Sequence, residues 1–75
     1  MNQSPLSRTV MNFSDALREV IKGKKITKLE WGNQNIYIFL HNEHLKIMKL
    51  DGKMYDLIVS EADLLGEDWV LVQEN

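Results

Sequence analysis

The chain has 75 residues, 44% of them apolar and 27% charged, with nine basic against eleven acidic side chains and a formal net charge of −2. That balance belongs to one small globular domain and excludes both a disordered segment and a general nucleic-acid binder, which carries an excess of Lys and Arg. There is no cysteine, so disulfides and thiolate metal sites are ruled out, and no apolar run approaches the roughly 18 residues of a membrane span. A chain this short hides only about 60% of the surface its unfolded form exposes, so association of copies is the expected source of further burial.

Residues 1–10, MNQSPLSRTV, lack the apolar stretch of a signal peptide and are expected to form a flexible arm ahead of a single domain over 11–75. The segment NFSDALREVIKGKK reads as one amphipathic helix, with Phe13, Ala16, Leu17, Val20 and Ile21 at the spacing of a single buried stripe. Ser14 is the expected N-cap and Asp15 suits the first turn. Gly23 is placed to end the helix in a left-handed conformation, its flanking lysines matching the negative end of the dipole.

Beyond Gly23 the apolar period changes to two. KKITKLEW suggests a first strand and WGNQN a turn. IYIFL then sets Ile36, Ile38 and Leu40 on one face and Tyr37 and Phe39 on the other, which predicts a central strand covered on both sides. After the HNEH turn, LKIMKL places Leu45, Ile47 and Lys49 opposite Lys46, Met48 and Leu50. Asp51-Gly52 is the strongest hairpin signal, and KMYDLIV returns from it.

In SEADLLGED, Ser60 and Asp63 resemble a capping box that opens a helix of one or two turns, stopped near Gly66. DWVLVQ closes the pattern as a strand, with Trp69 and Leu71 facing away from Val70 and Val72. The predicted fold is α+β: an N-terminal helix packed on a mostly antiparallel sheet of about five strands, with a short helix before the last strand.

Enzyme motifs are absent, with no glycine-rich phosphate loop, no G-x-S-x-G and no zinc-type His/Cys spacing. His41, Glu43 and His44 in HNEH are the set closest to metal ligands, but two histidines in a turn are by default exposed side chains. Glu30, Asp63 and Asp68 are the acids available for general acid–base work, yet no nucleophile is paired with them. The expectation is a non-catalytic protein with no metal and no cofactor.

Trp31 and Trp69 are more informative, because each sits where a turn meets a strand. Each either fills the edge of the core, with a partner for its indole N–H, or stacks on a flat ligand. Tyr37 belongs to the same aromatic set. Lys22, Lys24, Lys25 and Lys28 fall within seven residues, whereas everything after Lys53 holds six acids and no base. By default the lysines are a solvated helix end; otherwise they are point charges for phosphate. Asn33, Gln34 and Asn35 are turn residues by default and, beside a tryptophan, are also able to read a base or ribose edge.

Taken together, NFSDALREVIKGKKITKLEW, NIYIFL and DGKMYDLIVSEADLLGEDWVLV resemble the second Thoeris anti-defence family of small phage and prophage proteins. Its members look like a helix ending L-x-x-G-K-x-V/I-x-R/K-x-x-W, a strand with an aromatic after a polar turn, and a closing S-x-x-D-L-L-A-x-D-W-x-V. The resemblance spans Met11 to Val72 and is most specific in the closing motif, which Ser60, Asp63, Leu64, Leu65, Asp68 and Trp69 fit. It implies a homo-oligomer, a tetramer in the family, acting in the cytoplasm of the bacterial host as a nucleotide sponge. Such a protein binds a cyclic ADP-ribose isomer made by TIR-domain enzymes, leaves it uncleaved and so silences anti-phage defence. Some members hold cyclic dinucleotides at a separate pocket.

The chain departs from the family pattern in three places. GNQN follows Trp31 where N-G-x-G is common, DLIV precedes Ser60 where P-W-x-x is frequent, and Gly66 replaces an alanine. The residues expected to meet a nucleotide are Trp31, Tyr37 and Trp69 as aromatic plates, Asn33 and Asp68 for base and ribose, and Lys25 and Lys28 for the pyrophosphate. The expected site lies between protomers. No nucleic-acid polymer and no membrane is expected among the partners. The alternative reading is a phage structural or interaction module that docks on a host protein through its sheet edge or tryptophan-bearing surface and takes no small molecule.

Overall fold

The computed structural model describes residues 9–72; the arm expected over 1–10 lies outside the described residues except for Thr9 and Val10, both exposed. The first helix, α1, runs Phe13–Ile21. Its N-cap is Asn12 rather than Ser14: the Asn12 side chain accepts from the Asp15 N–H at 2.9 Å, and the Ser14 hydroxyl donates to that same amide oxygen at 3.1 Å. One residue decides the matter, because only Asn12 has the extended backbone that lets a side chain turn back onto the first free N–H groups.

At the other end the Gly23 N–H bonds to the Val20 carbonyl and the Lys24 N–H to the Glu19 carbonyl, a Schellman closure with Gly23 at φ 101°. Phe13, Ala16 and Val20 are buried and Leu17 packs against them, whereas Ile21 is 65% exposed. At about 100° per residue, Ile21 has rotated too far from Phe13 to share its stripe.

Five strands follow: β1 Ile26–Lys28, β2 Tyr37–His41, β3 His44–Met48, β4 Met54–Asp56 and β5 Trp69–Leu71. All pairings are antiparallel and the spatial order is β4-β3-β2-β1-β5. The chain meanders from β1 out to β4, then crosses back through α2 (Glu61–Leu65) to lay β5 beside β1. The register lines up Ile26 with Ile38 and Leu71, and Ile38 with Ile47. This row faces α1, and Phe13, Ala16, Val20, Ile26, Ile38 and Trp69 close the core.

Several expectations are redrawn. The first strand ends at Lys28, because Leu29–Trp31 (η1) tightens into a single 3-10 turn. The returning strand shrinks to Met54–Asp56, after which Leu57 and Val59 pack on the core from a coil. β2 is central but has no helix on its second face. Alternation puts Tyr37 and Phe39 there, half-buried against each other at 5.5 Å between ring centroids.

The tight two-residue turn falls on Asn42 and Glu43, both at positive φ, between the paired His41 and His44. Asp51-Gly52 does make a hairpin, in a longer loop closed by the Gly52 N–H on the Lys49 carbonyl. The capping box of α2 is complete in both directions between Ser60 and Asp63. No helix among the described residues is long and apolar enough to cross a membrane.

Replacing Asn12 by alanine is expected to cost about 1 kcal/mol, the usual worth of an N-cap. Ser14→Ala leaves the capping oxygen in place and should cost less than about 0.5 kcal/mol. Urea unfolding of the two variants checks the assignment, and equal losses would return the cap to Ser14.

Candidate functional site

The junction after β1 is built from two distant pieces of chain. The 3-10 turn Leu29–Trp31 has no side-chain cap from Lys28, the residue before it. Its cap comes from Asp68 instead. The Asp68 carbonyl accepts the Leu29 N–H at 3.1 Å, and its carboxylate accepts the Glu30 N–H at 2.9 Å. Gly32 ends the turn in the left-handed region, its N–H on the Leu29 carbonyl. These bonds set Trp31 edge-on against Trp69, with 5.5 Å between ring centroids and an interplanar angle of 86°. Such T-shaped pairs place a positive ring edge on a negative ring face.

The polar turn that follows is also fixed. Asn33 accepts the Asn35 N–H on its side-chain oxygen at 2.8 Å, and its carbonyl accepts the Ile36 N–H. The Thr27 hydroxyl, buried on β1, donates to the Ile36 carbonyl at 2.6 Å. Residues 31–36 therefore border two clefts. One, of about 450 Å³, is walled by Trp31, Ile36, Ile47 and Leu50, with Lys49 and Asp51 at its polar side. The other, of about 580 Å³, runs over Thr27, Lys28 and Leu29 to Asn33, Gln34 and Asn35. Both volumes fall in the range of small-molecule sites.

The residues expected at a ligand separate into three groups. Trp31 and Asn33 stand at the clefts, one in each. Lys25 and Tyr37 lie elsewhere, on the sheet face that α1 leaves open, with the Lys25 ammonium 4.9 Å from the Tyr37 ring centroid. Lys28, Asp68 and Trp69 form a support beneath Trp31.

Trp69 is corrected as a ligand plate. Its ring is 0% exposed, packed on Phe13 at 5.3 Å and on Trp31, and its indole N–H donates to the Asp63 carbonyl. A strand with α1 on its inner face gives that ring no route to solvent. Lys28 lines the cleft that holds Asn33, but it is engaged within the chain. Its side chain is 4% exposed, and its ammonium donates to Glu30 at 3.1 Å, lies 3.6 Å from Asp68 and sits over the Trp69 ring. Asp68 has its carboxylate occupied by the Glu30 N–H and by Lys28, so its first role is within the chain.

Burial by itself would lower the Lys28 pKa. The hydrogen bond to Glu30 and the charges of Asp68, Glu30 and Asp63 outweigh it, and the ammonium is held above the ordinary lysine value. A raised pKa of this kind adds stability that is complete at neutral pH and is lost only as the pH climbs through the folded-state value. The acids considered for general acid–base work are all engaged: Asp63 caps α2, Glu30 pairs with Lys28, and Asp68 caps η1. His41 and His44 face each other across the β2–β3 hairpin, and among the described residues no group of three acids or histidines has the closeness of a metal site.

Lys49, Asp51, Ile36, Ile47 and Leu50 were not expected at a site. The antiparallel hairpin reading carried the signal, since the turn before β2 and the turn after β3 must then meet at one end of the sheet.

A helix laid on a five-stranded antiparallel meander, with a helical turn returning the last strand to the first, defines a small α+β domain in which a buried tryptophan, Trp69, backs a second one, Trp31, that walls a cleft. Residues 11–72 match the Tad2-like family, described as the Thoeris anti-defense 2-like domain, and the chain belongs to that family. Membership assigns it an anti-defence role directed at the Thoeris system. No curated protein matches the chain.

Gly66 has ordinary helix-to-strand dihedrals, φ −67° and ψ 146°, that any residue adopts. A Cβ there would nevertheless stand 2.9 Å from the Lys28 ammonium and 3.3 Å from both Lys28 Cε and the Ala62 carbonyl oxygen. Gly66→Ala is thus expected to cost about 1 kcal/mol, the low end of overpacking. Chemical denaturation measures it, and an unchanged midpoint would mean that the lysine moves aside freely.

Proposed function

We propose that this protein is a non-catalytic sponge for the cyclic nucleotide that signals Thoeris defence, a cyclic ADP-ribose isomer made by TIR-domain enzymes. Trp31 carries the reading. It is half-buried, braced edge-on by Trp69, and presents an aromatic wall to a cleft of about 450 Å³ beside a turn rich in amides. A base stacks on that wall and Lys49, in the same cleft, lies within reach of a phosphate, while Asn33 meets a ribose or base edge only where the ligand extends past the turn into the neighbouring cleft.

The Lys25–Tyr37 pair stands on the opposite side of the sheet, so one chain cannot turn both groups toward one ligand. A second copy can. The open face of β2 and β3, with Tyr37, Phe39 and Met48 half-buried, is the surface on which copies of the chain meet, and the nucleotide lies at the seam. Oligomer formation supplies the burial that 75 residues cannot, and a tetramer repeats the seam. Binding takes place in the cytoplasm of the bacterial host, where the signal is made, and cyclic dinucleotides are a second class of ligand for the remaining cleft.

A second reading keeps the anti-defence role but makes a host protein the target. It draws on exposed apolar side chains around α2, Ile58 at 86% and Leu65 at 71%. Pulldown of one host protein, with no thermal shift from nucleotides, would favour it.

The sponge is tested by mixing the purified protein with cyclic ADP-ribose isomers, removing free nucleotide, and heating to release what was held. Intact nucleotide should be recovered at no more than one equivalent per site. Cleaved product beyond that ratio would make the protein an enzyme, and no recovery would end the proposal. Trp31→Ala should weaken binding by about 1–3 kcal/mol, the worth of one stacked base. Independently, Phe39→Glu should convert oligomers to single chains in analytical ultracentrifugation. Wild-type protein that sediments as single chains would remove the seam.

A further inference from the structure

We infer that Asp68 is a positioning residue: it holds Trp31 at the angle a ligand meets, acting from outside the cleft. The inference rests on the sponge reading and adds the part that keeps the plate in place. A single 3-10 turn is a weak scaffold, because it makes few bonds of its own and its first N–H groups lack partners. Here both N–H groups that open the turn, those of Leu29 and Glu30, are taken by one distant residue, Asp68, 38 positions beyond Glu30. The same carboxylate is 3.6 Å from the buried Lys28 ammonium, which fixes the residue immediately before the turn.

The next residue along from Asp68 is Trp69, whose ring meets the Trp31 ring at right angles. Asp68 and Trp69 thus grip η1 from two directions, backbone and ring. Removing the carboxylate frees the Glu30 N–H and leaves Lys28 with Glu30, whose side chain is 72% exposed, and with the charge of Asp63. The turn then has no cap from its own sequence, since Lys28 offers none.

The test uses two readouts on the full chain. Edge-on tryptophan pairs couple their excited states and give a split band in circular dichroism, which needs no ligand. Asp68→Ala should abolish that band at a temperature where the rest of the far-ultraviolet spectrum is unchanged. Asp68→Asn keeps an oxygen for the Glu30 N–H and should retain most of it. In calorimetry with cyclic ADP-ribose isomers, Asp68→Ala should weaken binding about tenfold and Asp68→Asn less.

Val20→Ala, in the core beneath α1 and lining neither cleft, serves as a control for lost stability alone. If it weakens binding as much as Asp68→Ala does, or if the split band survives in Asp68→Ala, the positioning role is overturned. If the wild-type chain binds none of these nucleotides, the sponge reading fails. The split band then decides by itself whether Asp68 holds Trp31.

Discussion

The burial of Trp69 is the contact on which the other parts converge. Its ring lies between α1 and the sheet, against Phe13, while its backbone pairs with Lys28 on one side and Met11 on the other. The indole N–H reaches the Asp63 carbonyl, tying α2 to the final strand. A fully buried tryptophan contributes on the order of 3–5 kcal/mol when compared with alanine. In a chain with a core of six clustered residues that is a large share of all the stability available. The ring that closes the core is also the one that supports Trp31, so folding and the shape of the cleft are not separable here.

Burying a lysine beside that ring looks costly, since a lone ammonium in an apolar setting is strongly disfavoured. Three carboxylates answer it. Glu30 accepts from it, and Asp68 and Asp63 add their charge, so that the ammonium stays protonated rather than shedding its proton. The face of the Trp69 ring adds a cation–π contact at 5.5 Å. A methionine of similar volume would fill the space with no desolvation penalty. What a methionine lacks is the ion pair to Asp68, which adds a side-chain tether to the backbone bonds that already join the end of β1 to the start of β5. The acid-rich tail and the lysine-rich middle of the sequence therefore meet at this point. The charge asymmetry is in part an internal pairing rather than a feature of the surface alone.

Periodicity and end signals made most of the fold legible. Gly23, the capping box of Ser60 and Asp63, and the alternation through Ile36, Ile38 and Leu40 each act within a few residues, so a local reading captures them. The errors share a different cause. Ser14 and Asn12 are both good caps, and only the backbone angle separates them. KKITKLEW has a strand-like pattern throughout, yet Leu29–Trp31 leaves the strand because a cap arrives from 38 residues away. Asp68 and Trp69 have the chemistry of ligand contacts, but the Trp69 ring is buried and the Asp68 carboxylate is engaged by the Glu30 N–H and by Lys28. Residue type announces an acceptor and an aromatic ring; tertiary packing decides whether a ligand or the protein's own backbone receives them.

Size then limits what such a domain can do with a nucleotide. Capture of a scarce signal requires an affinity near −12 kcal/mol for a nanomolar dissociation constant. One stacked base and a few amides supply only part of that, and each group that must be ordered on binding subtracts from it. The two groups proposed to meet the ligand are already fixed by the chain itself: Trp31 by Asp68 and Trp69, and Asn33 by the Asn35 N–H. The remaining shortfall is one of enclosure, because both clefts are open on a single chain. On the proposed sponge reading, that enclosure is the part assigned to a second copy with its own Lys25 and Tyr37. The proposal thus places association and capture on one face of the sheet, the face where β2 carries the half-buried Tyr37 and Phe39 and α1 does not reach.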